Sequence, residues 1–488
     1  MASVVGKLHF SPDVAWRLGP RAVGLGLWGK GPGKWWAAHR LGTWVEPLAG
    51  ADIRPLWEEN RWAGLVAPER VCPEWMATHP PFQGPLWACG QEAALRVLHL
   101  ALTLAAPLPG WAAPILAAHA RRIAANPAYA LAQDNNHPVS EAAGLLACGL
   151  LLGRPGLAAR GHRRLEAAVA RLVAPDGGFA QVSPTYLRLL VEVLAAAQTI
   201  RRAWNGPPAS VLLLARAQAA TALLRRLACP QTGALPRIGH QDGSAFFGTA
   251  DDSRPGLAMA EALFGAAPPA AHWRAHGLRG WSGEGARAVL RVGPLPFRPA
   301  HADLLHLDLW DGTTNLLRDG GTGAYNPAPD NAWWLDHFWS ARAHNTVQFG
   351  SAEPMPRLGR FLHAQWPATG RDGDADWVRH HAGHRHARAV RVRGREWLVR
   401  DDIHGPAPIL RWRLCPGDWR ATPDGAQGPA HIAITADAPL AITLEQGWES
   451  LAYGQVSPCP VLVARGDARW FETRITLPPC GTRGHGHT

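Results

Sequence analysis

The sequence predicts an α+β multidomain chain, helical in its first half and built of antiparallel strands in its second. Three observations carry this. Between Trp87 and Ala228 apolar residues recur at helical spacing in six successive runs. From Ala286 onward the apolar runs are short, several alternate with polar residues, and Gly, Pro and Asp separate them. The chain's 488 residues exceed what one ordinary core encloses, so two or three domains are expected.

Residues 1 to about 85 are rich in Trp, Gly and Pro, with weak periodicity and no clear element. Helices are expected over Gln91–Leu100, Trp111–Ala125, Val139–Leu152, Leu157–Val173, Ser183–Trp204 and Ser210–Ala228, punctuated by Gly, Pro and Asn. Short connections make these helical hairpins, assembled as a bundle, solenoid or toroid. The absence of a clean repeat of fixed period argues against a simple solenoid. The texture changes around residues 265–285. Strands are then expected at Ala286–Val292, Leu305–Trp310, Asn315–Arg318, His344–Phe349, Ala389–Val392, Trp397–Arg400, Ile409–Leu414, His431–Ile434, Ala441–Leu444, Val461–Ala464 and Arg469–Ile475. Many short strands with no helices between them imply antiparallel sheets stacked as a sandwich. The expected domains are 1–275 and 285–488, and ligand clefts often form where two such domains meet.

Charge gives the first functional hint. Lys+Arg 49 against Asp+Glu 38 gives +11 and a pI near 10.0. Such an excess favours an anionic partner, and it sits almost wholly on arginine, which pairs with carboxylate or sulfate through two donors. High Arg, Ala, Gly and Pro usage can also reflect genomic composition. The arginines are dispersed with no recognisable module, which argues against nucleic acid. The 24 Trp offer faces for sugar rings as well as for core packing, and with only 4 Tyr a tyrosine in a polar setting stands out. The 7 Cys show neither metal spacing nor a disulfide framework and are expected as free thiols. No apolar run reaches membrane-spanning length. The first residues lack a basic region followed by an apolar one, so the expected location is the cytoplasm, or the periplasm or exterior if the start site is misassigned.

Four segments carry polar groups that local structure does not require. The first is Asp134-Asn135-Asn136-His137-Pro138-Val139-Ser140-Glu141, which opens a helix; its groups suit either an ordinary N-cap or an anion at the helix's positive end. The second is Asp176-Gly177-Gly178-Phe179 followed by Ser183-Pro184-Thr185-Tyr186-Leu187-Arg188, a turn leading to a tyrosine in the first turn of a helix. The third is His301-Ala302-Asp303 with Asp319-Gly320-Gly321-Thr322, and the fourth is Arg342-Ala343-His344-Asn345-Thr346-Val347. His301, Asp319 and His344 offer an acceptable zinc set with one open position. A further tract, His380-His381-Ala382-Gly383-His384-Arg385-His386, reads better as a solvated loop than as a metal site.

Together with Trp87-Ala88-Cys89-Gly90-Gln91-Glu92-Ala93-Ala94-Leu95-Arg96, these segments resemble the heparinase II/III family of polysaccharide lyases, in the family's order, from about residue 87 to 362. The resemblance implies an incomplete α/α toroid followed by an antiparallel β-sandwich, with a cleft between them. It implies β-elimination at C4 of a uronic acid in an acidic polysaccharide. Asn136 and His137 would then meet the uronate carboxylate, Tyr186 would act as base, acid or both, and Gln91, Glu92, Asn135, Glu141, Arg188 and Arg342 would bind substrate or shape the field around Tyr186. His301, Asp319 and His344 would hold zinc.

One departure bears on mechanism. Family members with lyase chemistry carry a catalytic His where this chain has Pro299. Either His301 turns to catalysis, or Tyr186 and His137 transfer the protons alone, or the activity is altered. Two rival readings follow: a glycan-binding protein without catalysis, favoured by Pro299, and a glycoside hydrolase using two carboxylates among Glu92, Glu141 and Asp176.

Overall fold

A computed structural model describes residues 52–125, 127, 130–131, 135–266, 268, 270–295, 299–359 and 361–479. The chain divides into two compact units. One comprises residues up to Gln181 with Thr185–Arg225 and Gly243–Ala267; the other comprises Val182–Pro184, Arg226–Asp242 and Pro268 onward.

The first unit is helical, an incomplete α/α toroid. Its described helices are α1 (Arg54–Glu59), α2 (Pro68–Thr78), α3 (Gly90–Thr103), α4 (Ala112–Ala125), α5 (His137–Leu151), α6 (Pro155–Leu172), α7 (Pro184–Ala203), α8 (Val211–Leu227) and α9 (Arg254–Phe264). Five expected helices, from Trp111–Ala125 to Ser210–Ala228, match α4 to α8 within two residues at each end. The helix α9 and the two before α3 were not anticipated. In α2 the interior Pro73 breaks the helical signal. The helix α5 is buried from Pro138 to Gly149, so its near-continuous apolar run has no solvent face to alternate with. The helix α6 keeps one apolar face, with Ala158, Leu165, Val169 and Leu172 buried. Gly161 sits where a Cβ would lie 2.3 Å from the Leu146 backbone nitrogen, so a glycine there lets α6 close onto α5. The helices α3 and α5 run side by side in one direction: Gln91 meets Asn136 near their starts, and Ala94 meets Gly144 further along.

The second unit is antiparallel throughout. One sheet orders β1 (His272–Ala275), β2 (Leu278–Gly283), β3 (Ala286–Arg291), β4 (Leu307–Asp311) and β5 (Thr314–Leu317) consecutively. An eight-stranded sheet contains, in spatial order, β14 (Arg420–Thr422), β15 (Gly425–Gln427), β16 (His431–Ala436), β19 (Trp470–Thr476), β12 (Glu396–His404), β11 (Arg385–Arg393), β10 (Ala375–Arg379) and β9 (Ala368–Asp372). A four-stranded sheet orders β17 (Ala441–Glu449), β18 (Ser457–Arg465), β13 (Pro408–Arg413) and β6 (Val347–Phe349). A short pair, β7 (Arg357–Gly359) and β8 (Leu362–His363), and a one-turn helix α10 (Trp334–His337) complete it. Trp397, Val399, Ile432 and Ile475 of the larger sheet share one core with Leu410, Trp412 and Leu462 of the smaller, and the Trp412 indole donates to Thr473 Oγ1 at 3.1 Å across the layers.

Strict alternation in β12 turns Trp397, Val399, Asp401 and Ile403 inward. Asp401 is thus a charge on a core face, and register supplies its partner: Arg388 lies directly opposite and binds both its oxygens, at 2.6 and 3.0 Å. Burial alone would raise the Asp401 carboxyl, but Arg388 and His386 hold it down at about 2. His386 Nε2 lies 2.7 Å from Asp401 Oδ1. The solvated-loop reading of the histidine tract is therefore corrected at its ends: His380 and His386 are buried, and only the tip at His381 to Gly383 is exposed.

Candidate functional site

In the helical unit the site starts at the paired N-termini of α3 and α5. Asn135 Oδ1 accepts the His137 backbone N–H at 3.1 Å, so Asn135 supplies the local cap. Asn136 stands at the N-cap position but makes no side-chain capping bond. Its amide instead donates to Gln91 Oε1 at 2.6 Å, and both residues are buried. His137, half-buried, lies with Nδ1 3.9 Å from the Cys89 sulfur. Two helix starts at one end bring two positive dipole ends together, a setting that favours an anion. One turn beyond His137, the Glu141 carboxyl lies against Gly90, where a Cβ would come within 2.5 Å of Oε1. Burial pushes Glu141 up to about 8, against the pull of Arg122 and Arg164, so it is mostly neutral at neutral pH. Tyr186 sits in the first turn of α7, 7% exposed.

Two expected substrate contacts are corrected here. Glu92 is 1% exposed, and Arg61 holds both its oxygens, Nε to Oε2 at 2.7 Å and Nη2 to Oε1 at 2.8 Å. It is a buried ion pair bracing α3, with no oxygen turned to a sugar. Arg188 spends all five N–H donors internally: Nε on Glu192, Nη1 on the Thr249 and Ala250 carbonyls, Nη2 on those of Phe247 and Asp252. It anchors the segment before α9 and has no donor left for a ligand. Arg342, in the second unit, is exposed and donates to Ser340 Oγ at 3.1 Å. Asp176 is exposed and accepts from the buried Gly178 N at 3.0 Å. With Glu92 sealed, the carboxylate pair a hydrolase requires loses a member.

In the strand unit the chain brings His301, Asp319 and His344 together from three segments. One donor atom from each lies within 4.8 Å of the other two, and all three residues are buried. The glycines after Asp319 explain the approach. A Cβ on Gly320 would lie 2.7 Å from the Ala343 carbonyl, and one on Gly321 would lie 2.2 Å from that of Ser450. The Gly320 N–H donates to Ala343 O at 3.0 Å, drawing the Asp319 loop against the residue before His344.

The donor set fits a metal ion. Among the described residues, His301 Nδ1 and His344 Nε2 are buried with no hydrogen-bond partner. Burial, then His240 and His344, pushes His301 well below its ordinary value, which leaves it neutral and able to donate a lone pair. Burial would raise Asp319, but His344 and His306 hold it well below the carboxylate range. Two neutral-capable imidazoles and a carboxylate suit a divalent transition ion with an open position.

Support for this set extends outward. His306 Nδ1 accepts the Asn345 N–H at 2.9 Å, so its proton sits on Nε2, 3.6 Å from Asp319 Oδ2. Arg388 Nη1 donates to the Leu305 and Asn345 carbonyls, each at 2.6 Å, bracing the segments beside His306 and His344. Leu305 has φ 63, a strained value for a leucine that this bracing sustains.

Sequence reasoning gave no role to His306 or His240. Pro299 is buried. The half-buried His240 ring lies edge-on to His301, centroids 5.2 Å apart, with Tyr325 and Phe361 at 5.5 and 5.4 Å. No local pattern marks His240, which lies far before His301 in the chain. Among the described residues, no helix is long and apolar enough to cross a membrane, and the six described cysteines are free and buried.

Residues 266–476 match the family model described as Heparinase II/III-like, C-terminal. Solved structures share the fold. A heparinase III gene product with methylated lysines matches with TM-score 0.63 and 16% identity, over 89% of this chain and 72% of its own. Another heparinase III matches with TM-score 0.63 and 14% identity, over 86% and 75%. A heparan sulfate lyase from Pedobacter heparinus matches with TM-score 0.58 and 16% identity, over 92% and 76%. At these identities the likeness establishes the fold alone. No curated protein matches in sequence.

Proposed function

We propose that the protein is a polysaccharide lyase that cleaves an acidic, uronate-containing polysaccharide by β-elimination. The observation that carries this reading is the Asn136 amide, turned away from capping its own helix and held by Gln91 at the joined starts of α3 and α5. A uronate C5 proton is barely acidic while the neighbouring carboxylate keeps its full charge, so donors aimed at that carboxylate lower the barrier. Asn136 and His137 supply them, and Tyr186 moves the proton. The +11 balance suits a polyanionic chain. The non-catalytic glycan-binding reading is the one Pro299 favours. The test incubates the metal-loaded protein with a panel of uronate polymers and follows ultraviolet absorbance of the unsaturated product. Product on at least one polymer is expected; binding without product on all of them supports the rival.

His301, Asp319 and His344 would hold the metal, for which zinc is the fitting ion. When bound it would neutralise the buried Asp319 charge and tie three segments of the strand unit together. His344→Ala is expected to lose stoichiometric metal by mass spectrometry and to melt at lower temperature than the wild type. Retained stoichiometry would remove His344 from the ligand set.

A further inference from the structure

We propose that Asn345 is the positioning residue of the metal set: its side-chain amide fixes the spacing of His301, Asp319 and His344 before an ion arrives. This rests on the metal reading of the proposed function and deepens it, because it names the group that presets the site.

His301, Asp319 and His344 lie far apart in sequence, so nothing local holds their donor atoms within 4.8 Å of one another. Asn345 follows His344 and is 0% exposed. Its side chain reaches the segments that carry the other two ligands. Nδ2 donates to the carbonyl of Leu307, where the chain from His301 enters β4, at 2.9 Å. It also donates to the carbonyl of Arg318, the residue before Asp319, at 3.3 Å. Oδ1 accepts the Arg413 N–H of β13 at 2.6 Å, and the Arg413 carbonyl in turn accepts the Arg318 N–H at 3.1 Å. The Gly320–Ala343 bond ties two of the ligand segments together; Asn345 adds the third.

The backbone of Asn345 acts in the same direction. Its N–H donates to His306 Nδ1 at 2.9 Å, and its carbonyl accepts the Leu307 N–H at 3.3 Å and Arg388 Nη1 at 2.6 Å. The next residue, Thr346, donates its hydroxyl to the Leu304 carbonyl at 2.9 Å. Every polar atom of Asn345 is thus engaged, and each bond ends on a segment that carries or braces a ligand.

The side-chain bonds require an amide, since they need one acceptor and two donors on a short planar group. A carboxylate keeps the acceptor but turns an oxygen toward two carbonyls, and a methyl supplies neither function. Burial leaves such a loss uncompensated. Ligands locked by bonds of this kind are ordered on folding, so less order has to be imposed when the ion binds.

The experiment uses the full chain and measures the Zn2+ dissociation constant by competition with a chromophoric chelator. The visible spectrum of the Co2+-loaded protein reports the ligand geometry. Asn345→Asp is expected to weaken Zn2+ by about 10- to 100-fold, as loss of an outer bonding partner implies, and to shift the Co2+ bands. Asn345→Ala, which buries no charge, is expected to do the same and carries the measurement if Asn345→Asp does not fold. Ile475→Ala opens a cavity in the same strand unit, at a residue 0% exposed that takes no part in these bonds. It is expected to melt at lower temperature with the wild-type Zn2+ affinity and Co2+ spectrum. A comparable loss of Zn2+ in Ile475→Ala would reduce the Asn345 effect to general stability and overturn the assignment. Zn2+ bound equally by wild type and both Asn345 variants overturns this assignment alone. A wild type that takes up no Zn2+ overturns the metal reading and this assignment with it.

Discussion

Tyr186→Phe is expected to lower the rate of unsaturated product formation by about 10²- to 10⁴-fold, the usual worth of a positioned proton-transfer group. The substitution removes one oxygen and keeps the ring that fills a site 7% exposed, so helix content and metal stoichiometry are expected to stay unchanged. A free phenol ionises near pH ~10, and one that works as a base at neutral pH needs nearby positive charge. Arg188 cannot supply it as a ligand-facing group, because its donors are consumed by Glu192 and four carbonyls. The position itself offers a source: Tyr186 stands in the first turn of a 20-residue helix, at its positive end. With His137 acting as donor and Pro299 where another base would stand, no second group is assigned to take over. Wild-type turnover in Tyr186→Phe would remove the tyrosine from the chemistry and return His301 or His240 to consideration.

The fold was legible where one face or one period dominates. The five runs that became α4 to α8 are long, and the core strands β3, β12, β13 and β18 carry apolar residues that alternate or cluster. Elements whose burial comes from elsewhere were not legible. β9 is Ala-Thr-Gly-Arg-Asp with no fully buried residue, and β14 is Arg-Ala-Thr; both are edge strands held by a neighbour's backbone and not by their own pattern. The site was legible as motifs, since Asp319-Gly320-Gly321 and Arg342-Ala343-His344 are local, while their meeting is not. Burial was the missing variable. Glu92 and Arg188 look like polar cleft residues because the sequence does not show Arg61 folding back on one, or the segment before α9 wrapping the other. For Arg188 a signal existed: Glu192 stands four residues on, the spacing of a helical ion pair.

Glu92→Gln is expected to destabilise the protein by about 3 kcal/mol, because it leaves the buried Arg61 guanidinium with the partly exposed Glu58 as its remaining counter-charge. Arg61 is 1% exposed, and Glu58 and Ser244 meet only Nη1, so the substitution strips the anion from Nε and Nη2 while nearly preserving shape. Chemical denaturation of wild type and variant at neutral pH measures the loss. A sugar-binding Glu92 would give the opposite pattern, unchanged stability with a raised KM, and that result would sink the structural assignment. The acid limb adds an independent check. Burial would raise the Glu92 carboxyl, but Arg61 holds it at about 2 in the folded protein, against 4.5 for an ordinary glutamate. A carboxyl depressed on folding stabilises fully above the unfolded value and loses that contribution as pH falls through the folded one. The wild-type advantage over Glu92→Gln is therefore expected to hold from neutral pH to about 4.5 and to shrink toward about 2. An advantage that instead vanished near pH 4.5 would mean that Arg61 does not depress Glu92, and that the pair does not brace α3.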